Sequence, residues 1–180
     1  AIHLSLQILG VKRGDSVICQ SLTFVGSANP ILYCNAEPIF IDSETETWNM
    51  CPHVLDKAIN DSLKINKKPK AIILVHLYGM PAKINEIKEI SKKYDIPLIE
   101  DAAEALGSNY DGIPLGTIGD FGVLSINGNK IITTSGGGAL ISSSFEHSKK
   151  AKFLSSQAKE NSILYHHLES GYNYRISQVV

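Results

Sequence analysis

Two residues carry chemistry that their surroundings make specific. Lys130 lies in a Gly- and Asn-rich turn, Ser125-Ile126-Asn127-Gly128-Asn129-Lys130, and Asp101 ends an apolar run, Ile99-Glu100-Asp101-Ala102-Ala103-Glu104-Ala105. A lysine amine held partly out of water can capture a carbonyl as a Schiff base and afterwards move a proton. A buried carboxylate can hold a pyridine nitrogen protonated, which makes that ring an electron sink for a carbanion. Each residue also has an ordinary reading: a single lysine is usually solvated surface, and an Asp before an Ala-rich segment is a good helix N-cap.

The elements that must position these residues follow from hydrophobic period. Residues 16–19 and 38–41 read as strands, 71–76 as a continuous apolar strand, and 96–100 as another, with helices expected over 24–34, 54–63 and 84–94. The third helix carries Ile84, Ile87 and Ile90 on one face. Strands apolar on both faces belong to parallel sheets covered by helices, so the expected architecture is a doubly wound α/β layer. Short strands are expected at 121–125, 131–134 and 139–142, then a helix over 146–157. In such sheets ligands bind beyond the carboxyl ends of the strands, where Ser21-Leu22-Thr23-Phe24, Val75-His76-Leu77-Tyr78-Gly79 and the two segments carrying Asp101 and Lys130 fall.

Composition narrows the classes. The 180 residues suffice for one domain of roughly 100–200 residues, and 43% hydrophobic content supplies a core. With 17 basic and 18 acidic side chains there is no electrostatic case for nucleic acid or an anionic membrane. No apolar run approaches the roughly 18–20 residues of a membrane span, and no secretory signal pattern opens the chain, so a cytoplasmic protein is expected. Cys19, Cys34 and Cys51 are odd in number and lack CxxC spacing, which predicts buried thiols in a reducing compartment. Dinucleotide, P-loop, GxSxG and zinc motifs are missing, and no metal site is expected. His76 reads as a support for its strand end, and His166 and His167 as surface residues.

Taken together and in this order, the Lys130 turn continued through Ile131-Ile132-Thr133-Thr134-Ser135-Gly136-Gly137-Gly138, the Asp101 segment, Ser21-Leu22-Thr23-Phe24, Val75-His76-Leu77-Tyr78-Gly79 and Gly171-Tyr172-Asn173-Tyr174-Arg175 resemble the DegT/DnrJ/EryC1/StrS family of sugar aminotransferases. The resemblance covers essentially the whole chain. It implies a pyridoxal 5'-phosphate enzyme of the aspartate aminotransferase fold type I, whose large domain carries a mostly parallel sheet between helices. Lys130 then matches the lysine of the internal aldimine and Asp101 the acid on the pyridine nitrogen. Glu104 matches a position beside the cofactor ring and its phenolic oxygen, Ser125 a phosphate-binding serine, and Phe24 the aromatic residue stacked on the ring. Asn173, and less directly Arg175, match a segment that reaches the neighbouring subunit's site, which implies a homodimer with shared sites.

The reaction so implied transfers an amino group from L-glutamate to a nucleotide-linked keto-sugar. The Asn-Gly-Asn-Lys turn most resembles enzymes acting at C4 of UDP-linked 4-keto-6-deoxy sugars, or the perosamine-forming type on a GDP sugar. A related sugar dehydratase would carry histidine where Lys130 stands. Ile126 occupies a position where relatives commonly have Phe. The chain opens without Met or a capping residue and its last residues, 176–180, form an apolar stretch. Residues 1–180 are therefore expected to be one partial large domain truncated at both ends, without the phosphate-loop threonine and the small domain, and a non-catalytic fragment is the rival reading.

Overall fold

A computed structural model describes residues 1–176; residues 177–180, the end of the apolar stretch, lie outside the described residues. The elements run α1 (Ile2–Ile8), β1 (Ser16–Gln20), α2 (Asn29–Tyr33), β2 (Glu37–Ile41), α3 (Pro52–Lys64), β3 (Ala71–Val75), a 3-10 turn (Leu77–Gly79), α4 (Ile84–Tyr94) and β4 (Leu98–Asp101). A small hairpin, β5 (Asn109–Tyr110) and β6 (Ile113–Pro114), precedes β7 (Phe121–Ser125), β8 (Gly138–Ile141) and α5 (Phe145–Ser155). Six strands form one sheet in the order β2-β1-β3-β4-β7-β8, parallel throughout except for β8, which runs antiparallel to β7.

Alternation along the strands sorts side chains between two apolar layers. Ala71 and Ile73 of β3 pack with Ile2, Leu6 and Ile31 on the α1 and α2 side. Ile72 and Leu74 pack with Leu55, Ile59, Ile84 and Ile87 on the α3 and α4 side. Every residue of β1 and β3 is buried, as the continuous apolar runs require of central strands. Local signals set the helix ends: Pro52 opens α3 where its missing N–H is no loss. The α4 helix has Glu86 in its first turn, Lys92 and Lys93 in its last, and stops at Asp95 in the left-handed region.

Three expectations are corrected. The helix expected over 24–34 shrinks to Asn29–Tyr33, because Pro30 near its start removes a donor and bars the chain from extending far in the N-terminal direction. Residues 21–28 instead form turns, with Ser27 N–H donating to the Phe24 carbonyl. The strand expected at 131–134 is absent: Ile131 and Ile132 are exposed, and the segment belongs to a long loop joining β7 and β8, closed by Thr134 N–H on the Ile126 carbonyl and Ile126 N–H on the Gly137 carbonyl. Its β-branched residues have strand propensity but no neighbour to pair with. Lastly, Asp101 is the final residue of β4 and caps no helix, because residues 102–108 form turns.

Candidate active site

An open cleft of about 670 Å³ lies at the carboxyl ends of the parallel strands, where an α/β sheet is expected to bind its ligand. Phe24, Asp101, Glu104, Ser125 and Lys130 all line it. Residues distant in sequence thus meet because β1, β4 and β7 point the same way and each releases its next loop at the same edge of the sheet. Asn173 does not line the cleft; it pairs with Ser156 in an isolated antiparallel bridge, while its neighbours Tyr174 and Arg175 do line it.

Asp101 is 7% exposed. One carboxylate oxygen accepts the Ser27 hydroxyl at 2.6 Å and the other the Ala103 N–H at 3.2 Å. Ser27 is itself 2.8 Å from the Thr23 hydroxyl, so a short hydroxyl chain runs from the 21–28 turns to the carboxylate. Each oxygen retains acceptor capacity for a further donor. Ser27 was not legible as a site residue: only loss of the expected helix brings it against Asp101. Cys19 of β1 is fully buried, and its thiol is pushed up to about 12 by burial first and by the negative charge of Asp101 second. All three thiols are free, Cys19 and Cys34 buried and Cys51 half-buried.

Lys130 sits in the β7–β8 loop with its side chain 17% exposed, and its Nζ lies 3.4 Å from Glu104 Oε1. Lys130 N–H closes a turn on the Asn127 carbonyl. Glu104 Oε2 accepts the Tyr78 backbone N–H at 3.1 Å. Phe24 is 82% exposed, its ring uncovered beside the cleft, an arrangement suited to stacking a flat ligand. Carboxylate acceptor, primary amine, hydroxyl and aromatic face are the donor set that a phosphorylated pyridine aldehyde requires.

Behind β4 lies a charged group that the sequence did not mark. Glu100, next to Asp101 but on the opposite face, is fully buried and accepts His76 Nε2 at 3.0 Å and Gly116 N–H at 2.8 Å on one oxygen, and Ile118 and Gly119 N–H at 2.6 Å each on the other. Burial acts to raise this carboxyl, but the His76 ring and the Gly119 and Gly116 amides outweigh it and hold it below the usual carboxylate range. His76 Nδ1 accepts the Ala82 N–H at 3.2 Å, which leaves the ring proton on Nε2 facing Glu100. The expectation that His76 braces its strand end holds.

A group whose folded pKa is depressed contributes stability above its unfolded value and loses it as pH falls through the folded one. The denaturation midpoint is therefore expected to fall as pH drops below about 4.5, the ordinary value for this carboxyl, and to fall less steeply in Glu100→Gln. Urea titrations of both proteins between neutral and acid pH check this. Parallel slopes would assign the acid loss to other carboxylates.

Fold and site together define an α/β protein whose cleft, at the carboxyl edge of a mostly parallel sheet, gathers an amine, two carboxylates, a hydroxyl and an aromatic ring. The chain belongs to the DegT/DnrJ/EryC1/StrS aminotransferase family, whose model matches residues 1–180. It is 54% identical over 180 residues to EpsN of Bacillus subtilis (strain 168), spanning 100% of this chain and 46% of EpsN. It is 40% identical over 179 residues to the GDP-perosamine synthase of Escherichia coli O157:H7, spanning 99% and 48%. A crystal structure of a DegT DnrJ EryC1 StrS aminotransferase from Brucella abortus superposes with a TM-score of 0.93 at 30% identity, covering 98% of this chain and 48% of that one. The chain thus spans about half the length of the relatives it matches. Aminotransferases of this family use pyridoxal phosphate, and solved neighbours include a PLP form and a PMP form. Among the described residues no helix is long and apolar enough to cross a membrane.

Proposed function

We propose that residues 1–180 form the cofactor-binding part of the large domain of a pyridoxal phosphate-dependent aminotransferase acting on a nucleotide-linked keto-sugar. The meeting of Lys130 with Glu104, and of Asp101 with Ser27, in one cleft is the observation that carries this reading. The cofactor supplies a carbonyl for an amine to capture and a ring that accepts the electrons of a carbanion. Asp101, fixed by Ser27 and the Ala103 N–H, would accept a hydrogen bond from a protonated ring nitrogen and keep that proton in place. Lys130 Nζ would bind the carbonyl and, once released, take a proton from the α-carbon of the donor as general base. Phe24 would cover one ring face, and Ser125 would donate to the phosphate.

L-Glutamate is the proposed donor. The proposed acceptor is the C4 ketone of a UDP-linked 4-keto-6-deoxy N-acetylhexosamine, for the amino sugars of a surface glycan. The likeness to GDP-perosamine synthase makes a GDP-linked 4-keto sugar the alternative. Lys130 favours amine transfer over the dehydratase chemistry of relatives with histidine at this position. Asn173, which does not line its own cleft, is proposed to serve the site of a second copy in a cytoplasmic homodimer.

The test is to add pyridoxal phosphate, record the visible band, reduce with borohydride and locate the modified peptide by mass spectrometry. An adduct on Lys130 that disappears when glutamate is added before reduction is the expected result. An adduct found only in a version extended at both ends assigns the same roles to these residues and the activity to the longer protein. No adduct in either overturns the reading.

A further inference from the structure

Glu100 raises a question that its place in the sheet does not answer. A buried carboxylate is costly in desolvation unless its acceptor sites are filled. Here four donors fill them, where an amide would offer only one oxygen. Three of the donors are backbone amides of the turn before β7, a turn packed so closely that a Cβ on Gly122 would lie 1.7 Å from the Gly116 carbonyl oxygen. The fourth, His76, begins the segment that leads to Tyr78.

That segment is strained and braced. Tyr78 has φ +52° and ψ +26° and Gly79 φ +79°, a region in which a bulky residue is held only by its surroundings. A Cβ on Gly79 would lie 2.7 Å from the Glu104 carbonyl oxygen, so only glycine fits this approach. His76 Nδ1 fixes the Ala82 N–H on one side. Asn49, fully buried, accepts the Leu77 N–H at 2.9 Å and donates to the Met80 carbonyl at 3.1 Å on the other. The strained shape directs the Tyr78 N–H onto Glu104, whose other oxygen faces Lys130.

We infer that Glu100 and His76 are positioning residues for Glu104 and, through it, for the amine of Lys130. The buried pair locks the 76–82 segment to the 116–119 turn, and the locked segment sets the carboxylate beside the lysine. This goes beyond the proposed function by adding a buried pair whose hydrogen bonds run to each other and to backbone amides, and it rests on that reading only for the importance of Lys130.

The test needs no cofactor. The rate at which trace acetic anhydride labels Lys130 is read by mass spectrometry in the wild type, Glu100→Gln, Glu104→Gln and the double variant. An ion pair of this exposure changes such a rate by about threefold. Glu104→Gln is expected to raise labelling by about that factor. Glu100→Gln is expected to raise it similarly when Glu104 is present and to add nothing when it is absent. Ile84→Val, a core change in the same layer, leaves the rate at the wild-type value. Should Glu100→Gln fail to fold, Asn49→Ala loosens the same segment and is expected to show the same dependence on Glu104. Additive effects, or no change in any variant, would overturn the inference. Absence of a pyridoxal phosphate adduct would overturn the proposed function and leave these rates to decide the positioning role on their own.

Discussion

Lys130→Ala, in the protein loaded with pyridoxal phosphate, leaves no borohydride-stable label on the 126–134 peptide and slows the glutamate-dependent loss of the visible band by at least about 10³-fold. General-base transfer alone contributes about 10²–10⁴, and removing the amine also removes covalent capture. The nearest charged group, Glu104, is a carboxylate held by the Tyr78 N–H on the far side of the lysine amine, and it offers no nucleophilic nitrogen in exchange. Stopped-flow absorbance with glutamate measures the effect. A variant within tenfold of the wild type would give the proton to another base. The side chain makes one ion pair, with a half-exposed carboxylate, so its truncation is expected to change the melting temperature of the cofactor-free protein little.

Asp101→Asn keeps the shape and loses the charge. A hydrogen bond to an ionised partner contributes about 1.5–3 kcal/mol, so the glutamate half-reaction is expected to slow by at least about 10- to 150-fold. The amide nitrogen also brings a donor to a place where a protonated ring nitrogen needs an acceptor, which pushes the loss toward the upper end. Affinity for pyridoxal phosphate should fall as well, measured by titrating the visible band. The Ser27 bond can be kept by the amide oxygen, so the variant should remain folded by circular dichroism. An unchanged half-reaction rate would place the ring nitrogen elsewhere in the cleft.

What the sequence revealed and what it hid divide along sequence distance. The α4 helix was legible residue for residue because Ile84, Ile87 and Ile90 form one stripe, and β7 because an apolar run is bounded by turns. Lys130 and Asp101 stood out for their local settings, and the resemblance added Phe24, Glu104 and Ser125. Residues 24–28, expected as the start of a helix over 24–34, are turns, because Pro30 sits at the true helix start and Gly26 and Ser27 are weak helix formers; Ser27, whose partner is 74 positions away, is hidden with them. Glu100 was hidden for the same reason. Nothing near it in sequence announces His76 or the 116–119 amides, which only the parallel pairing of β3, β4 and β7 assembles. Residues 131–134 show the opposite failure, in which β-branched chemistry persists where no partner strand exists.

The thiol of Cys19 is buried within reach of the negative charge of Asp101, the carboxylate proposed to hold the cofactor's ring nitrogen. The thiolate is what attacks an alkylating reagent, and this sulfur, fully buried and with its thiol pushed up to about 12, is shielded at neutral pH while β1 remains in the sheet. It reacts only in the small fraction of molecules whose sheet has parted. The chain therefore carries its own clock: the rate at which the Cys19 peptide is alkylated counts openings of β1, with no engineered cysteine.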